Sequence, residues 1–208
     1  MITKCSGWAL VAAMTLAPAW GWAAETTYTV VPAERSVVIE VGKSGLFSFA
    51  GHVHEVVAPA FSGEIVADAQ DLARSRVTLV FDARALKVTG RGEPADDLPK
   101  VQEAMLGPKV LDVARFPEIR FASKSVTGRV LGPGGYAVDV VGELTLHGVT
   151  RPLTVPLKIE VKGESLLAQG EATLRQKDFG MEPVSVAGVV NVKNEIKVEF
   201  RILARAVP

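Results

Sequence analysis

The strict alternation of apolar and charged residues near the end of the chain constrains its fold more than any other feature. Val192, Ile196, Val198, Phe200 and Ile202 share one parity, and Lys193, Glu195, Lys197, Glu199 and Arg201 share the other. Successive side chains of an extended strand point to opposite faces, so this is a strand with one dry face and one wet face. The pattern recurs. Leu153, Val155, Leu157, Ile159 and Val161 alternate with Thr154, Lys158, Glu160 and Lys162; Val77, Leu79 and Phe81 alternate with Thr78 and Asp82. Leu144 and Leu146 stand against Glu143 and Thr145, and Leu166, Ala168, Ala172 and Leu174 against Gln169, Glu171 and Arg175.

Short turn signals separate these runs: Gly132-Pro133-Gly134-Gly135, His147-Gly148 and Lys162-Gly163. Strands joined so tightly are antiparallel, because parallel pairs need a long crossover. The runs fall at about 28–42, 46–57, 60–68, 75–83, 117–131, 135–147, 152–162 with 165–176 as a hairpin, and 190–204, which makes about eight strands. Their length favours an antiparallel β-barrel with tilted strands over a small sandwich. One stretch departs from period two. Leu98, Val101, Met105 and Leu106 have helical spacing after Asp96-Asp97, and Gly107-Pro108 stops the run, so one or two short helices are expected between 96 and 113.

Residues 1–23 have the form of a secretory signal peptide. Lys4 is the positive start, Trp8 to Leu16 an apolar run too short to span a bilayer, and Gly21-Trp22-Ala23 a small-residue cleavage site before Ala24. The expected organisation is a leader, 1–23, and one barrel domain, 24–208, delivered to the periplasm or secreted. The single cysteine, Cys5, and all three tryptophans lie in the leader. The remaining chain can make neither a disulfide nor a thiolate metal site. With 23 basic against 23 acidic residues there is no electrostatic footprint for nucleic acid, and no second apolar run is long enough for an integral membrane segment.

Three further motifs stand in order: Phe116-Pro117-Glu118-Ile119-Arg120-Phe121, Gly142-Glu143-Leu144-Thr145-Leu146-His147-Gly148-Val149-Thr150, and Arg175-Gln176-Lys177-Asp178-Phe179-Gly180. With the leader, they are similar to the YceI-like family of exported bacterial proteins, over about Tyr28 to Leu203. The resemblance implies an elongated lipocalin-like antiparallel barrel whose lumen holds a long apolar molecule: a polyisoprenoid, an isoprenoid quinone or a fatty-acid-like amphiphile. It also implies a homodimer as a common assembly, and neither an enzyme nor a cofactor beyond the isoprenoid-type lipid itself. The lumen-facing candidates on the dry parity are Val37, Ile39, Val41, Phe47, Phe49, Phe81, Phe121, Val138, Val140, Leu144 and Leu157. Taken alone, each reads first as a plain core residue. Burying a methylene is worth about 0.8 kcal/mol, so an apolar tail needs no polar signature to be held.

The other constellations compete with this reading. His52 and His54 lie two apart in a strand-like run and share a face, and with His147 they make a workable imidazole set for Zn or Cu, although the family implies no metal. If Phe47 and Phe49 face the lumen, an unbroken strand sends both histidines outward, unless a bulge at Gly51 reverses the register. Glu55 takes the opposite parity. Arg175 and Asp178 are expected to form a local ion pair, and Gly180 a tight bend. No catalytic signature appears: Gly90-Arg91-Gly92 is too short for a phosphate loop, and Asp96-Asp97 suits a helix start. The alternative functions are a histidine-based metal-binding or stress protein and an interaction module with incidental lipid.

Overall fold

The computed structural model describes residues 25–33, 36–44, 54–91, 95–183, 185–186 and 190–207. Among them the chain forms β1 (Glu25–Val31), β2 (Val37–Ser44), β3 (His54–Val57), β4 (Phe61–Asp68), β5 (Arg76–Asp82), β6 (Lys87–Val88), helix α1 (Leu98–Leu106), β7 (Glu118–Gly132), β8 (Gly135–Leu146), β9 (Val149–Lys162), β10 (Ser165–Arg175), β11 (Ser185–Val186) and β12 (Val190–Ala206). Short 3-10 turns occupy Leu72–Arg74, Ala83–Ala85 and Gln176–Phe179.

Eight strands close a ring in the order β1-β4-β5-β7-β8-β9-β10-β12, with β12 pairing back onto β1. Every pairing is antiparallel, as the short connections require. The β8–β9 connection is a two-residue hairpin in which His147 (φ 51°) and Gly148 (φ 72°) both take the left-handed region, the backbone that suits a right-twisted pair. A Cβ on Gly148 would come within 2.4 Å of the Phe116 ring, so close packing also demands glycine there.

The expected run 28–42 is two strands. β1 ends at Val31 and β2 begins at Val37, because Pro32 has no N–H for the ladder and the Ser36 N–H turns back to the Ala33 carbonyl at 3.0 Å. Both strands lie end to end along β12: Val31 faces Leu203, and Val37 faces Phe200. β2 carries β3 and β6 outward as a side branch of the sheet. Of the expected strand 46–57, β3 is present; Phe47, Phe49 and His52 lie outside the described residues, as does the leader. The expected helix is α1. Asp97 precedes it without a side-chain cap and instead pairs with Lys100 at 3.3 Å. The amide of Gln102 fastens α1 to the end of the barrel, accepting from the Val88 N–H and donating to the Leu86 carbonyl, both at 2.8 Å.

The inward parity of the strands forms one core that includes Val37, Phe81, Phe121, Val138, Val140, Leu144, Leu166 and Ile202. The outward parity carries ion pairs. Glu171 and Glu199 stand directly opposite each other on β10 and β12, and Lys197 bridges them at 2.7 and 3.0 Å. The two carboxylates hold its ammonium well above the ordinary lysine range.

Candidate functional site

The core does not fill the barrel. A cavity of about 330 Å³ runs through it, lined along its middle by Ile65, Leu79, Phe81, Phe121, Val138, Val140, Leu144, Val155, Leu157, Leu166 and Ile202. Ligand pockets typically measure ~300–1,000 Å³, so this volume suits part of an extended chain better than a bulky ring system. At one end Met105, Val110 and Leu111, from α1 and the turn after it, line the wall together with Gln176 and Met181. The Glu182 N–H, donating to the Lys109 carbonyl at 2.7 Å, ties those two segments together. Gln176 is buried, and its Nε2 donates to the Lys193 carbonyl at 2.8 Å.

The opposite end is the more polar. Thr26, Tyr28, Asp68, Ser75 and Tyr136 line it. Asp68 is 1% exposed, and its Oδ1 accepts from the Gln70 and Asp71 N–H groups, each at 2.9 Å. The Asp71 N–H, helped by the Gln70 N–H and the Arg74 guanidinium, holds the Asp68 carboxyl below the ordinary range against the opposing cost of burial. Burial pushes the Tyr28 hydroxyl up; a hydrogen bond with Thr26 opposes the shift and Tyr136 adds to it.

Of the candidates named from parity, Val37, Ile39, Val41, Phe81, Phe121, Val138, Val140, Leu144 and Leu157 all line this cavity. Parity reasoning missed the helix residue Met105 and the polar group at the far end. Thr26 and Tyr28 share a parity in β1, and that spacing could have placed them on the wall. The expected Arg175–Asp178 pair is corrected. Arg175 reaches across the ladder to Glu195 at 3.4 Å, because residues facing each other on adjacent antiparallel strands lie closer than residues around a 3-10 turn. The Asp178 carbonyl instead accepts from Arg151 Nε at 2.9 Å. Gly180, at φ 73°, ends that turn.

Of the two registers that the sequence leaves open for His54, the structure takes the inward one. His54 faces Val41 across β2–β3 and shares its parity with Val56, and both valines line the cavity, so His54 takes the inward parity. Glu55 takes the outward one but is buried. It accepts from Thr89 Oγ1 at 3.0 Å and Arg91 Nη1 at 3.1 Å. His147 is engaged in the β8–β9 turn, where its Nδ1 lies 3.0 Å from the Phe179 carbonyl oxygen and its ring meets Phe116 edge-on at 5.1 Å. Among the described residues, no three His, Cys, Asp or Glu side chains group to hold a metal.

The three ordered motifs therefore meet in one place. Phe116 packs on His147, His147 bonds Phe179, and Arg151 bonds Asp178. This knot ties the β8–β9 turn to the 3-10 turn at Gln176–Phe179, while the cavity wall is formed by other, mostly apolar residues.

A closed antiparallel barrel with a largely apolar lumen is the architecture of a protein suited to a hydrophobic ligand. The chain belongs to the YceI-like domain family, whose model matches residues 28–204. A UPF0312 protein of Pseudomonas syringae pv. syringae is 36% identical over 78 residues, which take in 35% of this chain and 38% of that protein. A UPF0312 protein of Vibrio vulnificus is 26% identical over 143 residues, 66% of this chain and 69% of the relative. The chain thus aligns with well under two thirds of the length of the Pseudomonas relatives. In fold it is similar to Burkholderia cenocepacia BcnA, with a TM-score of 0.63 at 15% identity over 83% of this chain and 99% of the other. It is also similar to the Campylobacter jejuni YceI protein, with a TM-score of 0.56 at 12% identity over 74% and 84%. No helix among the described residues is long and apolar enough to cross a membrane.

Proposed function

We propose that this protein is an exported, non-enzymatic carrier that holds a long apolar or amphiphilic molecule of the isoprenoid or fatty-acid type in its lumen, for sequestration or transport. Residues 1–23 direct it out of the cytoplasm, to the periplasm or beyond, and are removed there. The observation that carries the reading is the cavity of about 330 Å³ with a predominantly apolar wall. Such a wall stabilises a tail by area alone, at roughly 25 cal/mol per Å² buried, and leaves chain length weakly specified.

The test is native mass spectrometry of protein purified from its own host, followed by organic extraction. One dominant apolar amphiphile in near-stoichiometric amount is the expected result. Protein without extractable lipid, and with a lumen filled by its own side chains in an experimental structure, would overturn the reading. Leu144→Trp, which places an indole in the middle of the cavity, should yield folded protein that co-purifies with far less lipid.

A further inference from the structure

One end of the barrel carries an apolar tip that the core does not absorb. The end of the β7–β8 hairpin reads Val130-Leu131-Gly132-Pro133-Gly134-Gly135, without a polar side chain, where hairpin turns ordinarily favour Asn or Asp. Period two also fails here: every residue from Thr127 to Leu131 is exposed, on both faces of β7. Val130 and Leu131, at 62% and 55%, are the most exposed large apolar side chains among the described residues. Val130 faces Tyr136 and Gly128 faces Val138, and both partners line the lumen. Val130 therefore has the inward parity without being covered, so the tip stands past the rim of the barrel. It is held in place there. The Val161 N–H donates to the Gly134 carbonyl at 2.7 Å, and Gly134 takes φ 70° with no room for a Cβ, which would come within 2.4 Å of the Val161 carbonyl oxygen. β4 ends, β5 begins and β7 ends on this side of the barrel, and the lumen reaches the surface here, where exposed Ala69 lines it beside Thr26 and Asp68.

Positive charge is arranged behind the tip. Arg129 faces Ala137, Ala137 faces Lys158, Lys158 faces Gln169 and Gln169 faces Arg201, so Arg129, Lys158 and Arg201 lie on one row of the outer face. All three are exposed, and among the described residues none has an ion-pair partner. Most acids at this end are engaged: Glu160 with Lys162 at 3.0 Å, Glu25 with Arg74 and Arg76 at 3.6 and 3.9 Å, and Asp68 in the interior. Glu164 stands in the β9–β10 turn, and Asp139 lies two residues farther from the tip than Ala137. We propose that the β7–β8 tip docks the barrel onto an anionic lipid bilayer, with Val130 and Leu131 in the acyl boundary and the mouth of the lumen turned to the membrane surface. Arg129 lies two residues behind Leu131, about 7 Å along the strand, which sets its guanidinium at phosphate level when the tip is buried by ~5–10 Å. Lys158 and Arg201 extend the positive row behind it, toward an anionic surface that attracts each cation within a Debye length. A bilayer accepts a protruding apolar tip without a matching pocket and asks for no hydrogen-bonding side chain from it, which a protein groove would. The inference goes beyond the carrier reading, since it concerns where the barrel docks, loaded or empty.

The test is co-sedimentation of the protein, purified from its own host, with vesicles of mixed phosphatidylethanolamine and phosphatidylglycerol, set against vesicles of phosphatidylcholine alone. The protein should partition onto the anionic vesicles, and less so at high salt. Val130→Asp/Leu131→Asp should lower that partition about tenfold or more yet melt like the parent, because both side chains already stand in water. Arg129→Gln should lower it about fivefold on the anionic vesicles only. Leu131→Trp gives a reading independent of affinity: its added emission, taken as the difference from the parent, should shift to the blue when anionic vesicles are present, as an indole leaves water for the membrane interface. A parent that ignores anionic vesicles, partition that the aspartate double variant keeps, or an indole emission that vesicles leave unmoved would overturn the inference. So would a parent that sediments as a dimer, with the double variant a monomer and neither on vesicles, since a second copy would then cover the tip. Lipid extracted from the lumen is scored separately. A barrel that carries lipid and ignores vesicles overturns the docking alone, and one that docks and carries none overturns the carrier reading alone.

Discussion

The barrel wall is made in two ways. From β7 through β10 to β12 the strands are 11 to 17 residues long, tight hairpins join β7, β8, β9 and β10 in turn, and the registers run with few slips. The facing side is pieced together: β1 and β2 share β12 end to end, β3 and the two-residue β6 branch from β2, and α1 covers the gap. The long strands repeat one instruction, apolar in and polar out, so each residue's place follows from its neighbours. On the pieced side, backbone groups that the sheet leaves over are paired by individual side chains: Gln102 on β6, and Ser123 Oγ on the Val77 N–H at 2.8 Å. The continuous wall should therefore resist perturbation as a unit, and the pieced wall should yield locally.

The largest test sets Phe121 against Leu86. Phe121 is buried on β7 in the continuous wall, and Phe121→Ala should cost about 3–5 kcal/mol in denaturant melts. Leu86 is as deeply buried and also lines the cavity, but it sits between a 3-10 turn and β6, where the surroundings can close in. Leu86→Ala should cost about 2 kcal/mol, the low end for such truncations. A Leu86→Ala loss equal to that of Phe121→Ala would break the distinction between the walls.

Gly170 gives the next effect. It lies in β10 opposite Leu157 of β9, and a Cβ there would come within 2.2 Å of the Pro156 carbonyl oxygen. Backbone must shift to admit it, so Gly170→Ala should destabilise by about 1–3 kcal/mol. A neutral result would show that β9 and β10 pass each other with room to spare.

The third effect appears only in acid. Asp68 has a folded-state pKa below its unfolded value, so its contribution is complete above the ordinary carboxylate range and is lost as pH falls through the folded value. Asp68→Asn should be less stable than the parent at pH 7, and the gap should close as melts are taken toward pH 2. A gap that stays constant would mean that the carboxylate acts through shape rather than charge.

The continuous wall could be read from residues alone because period two is local: Leu144 and Leu157 declare their face within a few positions, and the structure puts both on the cavity. The pieced wall depends on contacts distant in sequence. Nothing near Pro32 says that β2 resumes on the same partner as β1, and nothing near His54 says that Val41 will face it and set its parity inward. The polar end of the lumen was hidden for a related reason. Thr26, Ser75 and Tyr136 are ordinary strand and turn residues until closure of the ring brings them to one place. The ordered motifs were conspicuous, yet they meet in the knot around Phe116 and His147, where packing demands particular residues; the aliphatic wall accepts any side chain of about the right size.

The smallest prediction concerns the corrected ion pair and marks the floor of the comparison. Arg175 and Glu195 face each other across β10 and β12 in the continuous wall, and both side chains are more than half exposed. An exposed pair of this kind is worth ~0.2–1 kcal/mol, because solvent screens the attraction and two long side chains lose freedom in making it. A double-mutant cycle of Arg175→Ala with Glu195→Ala should therefore give a coupling below about 1 kcal/mol that falls with added salt. The cycle of Arg175→Ala with Asp178→Ala should give none. Coupling to Asp178 instead would return Arg175 to the 3-10 turn. The end of β10 would then be held by the turn's local chemistry, as the pieced wall is, rather than by the ladder that governs the rest of the continuous one.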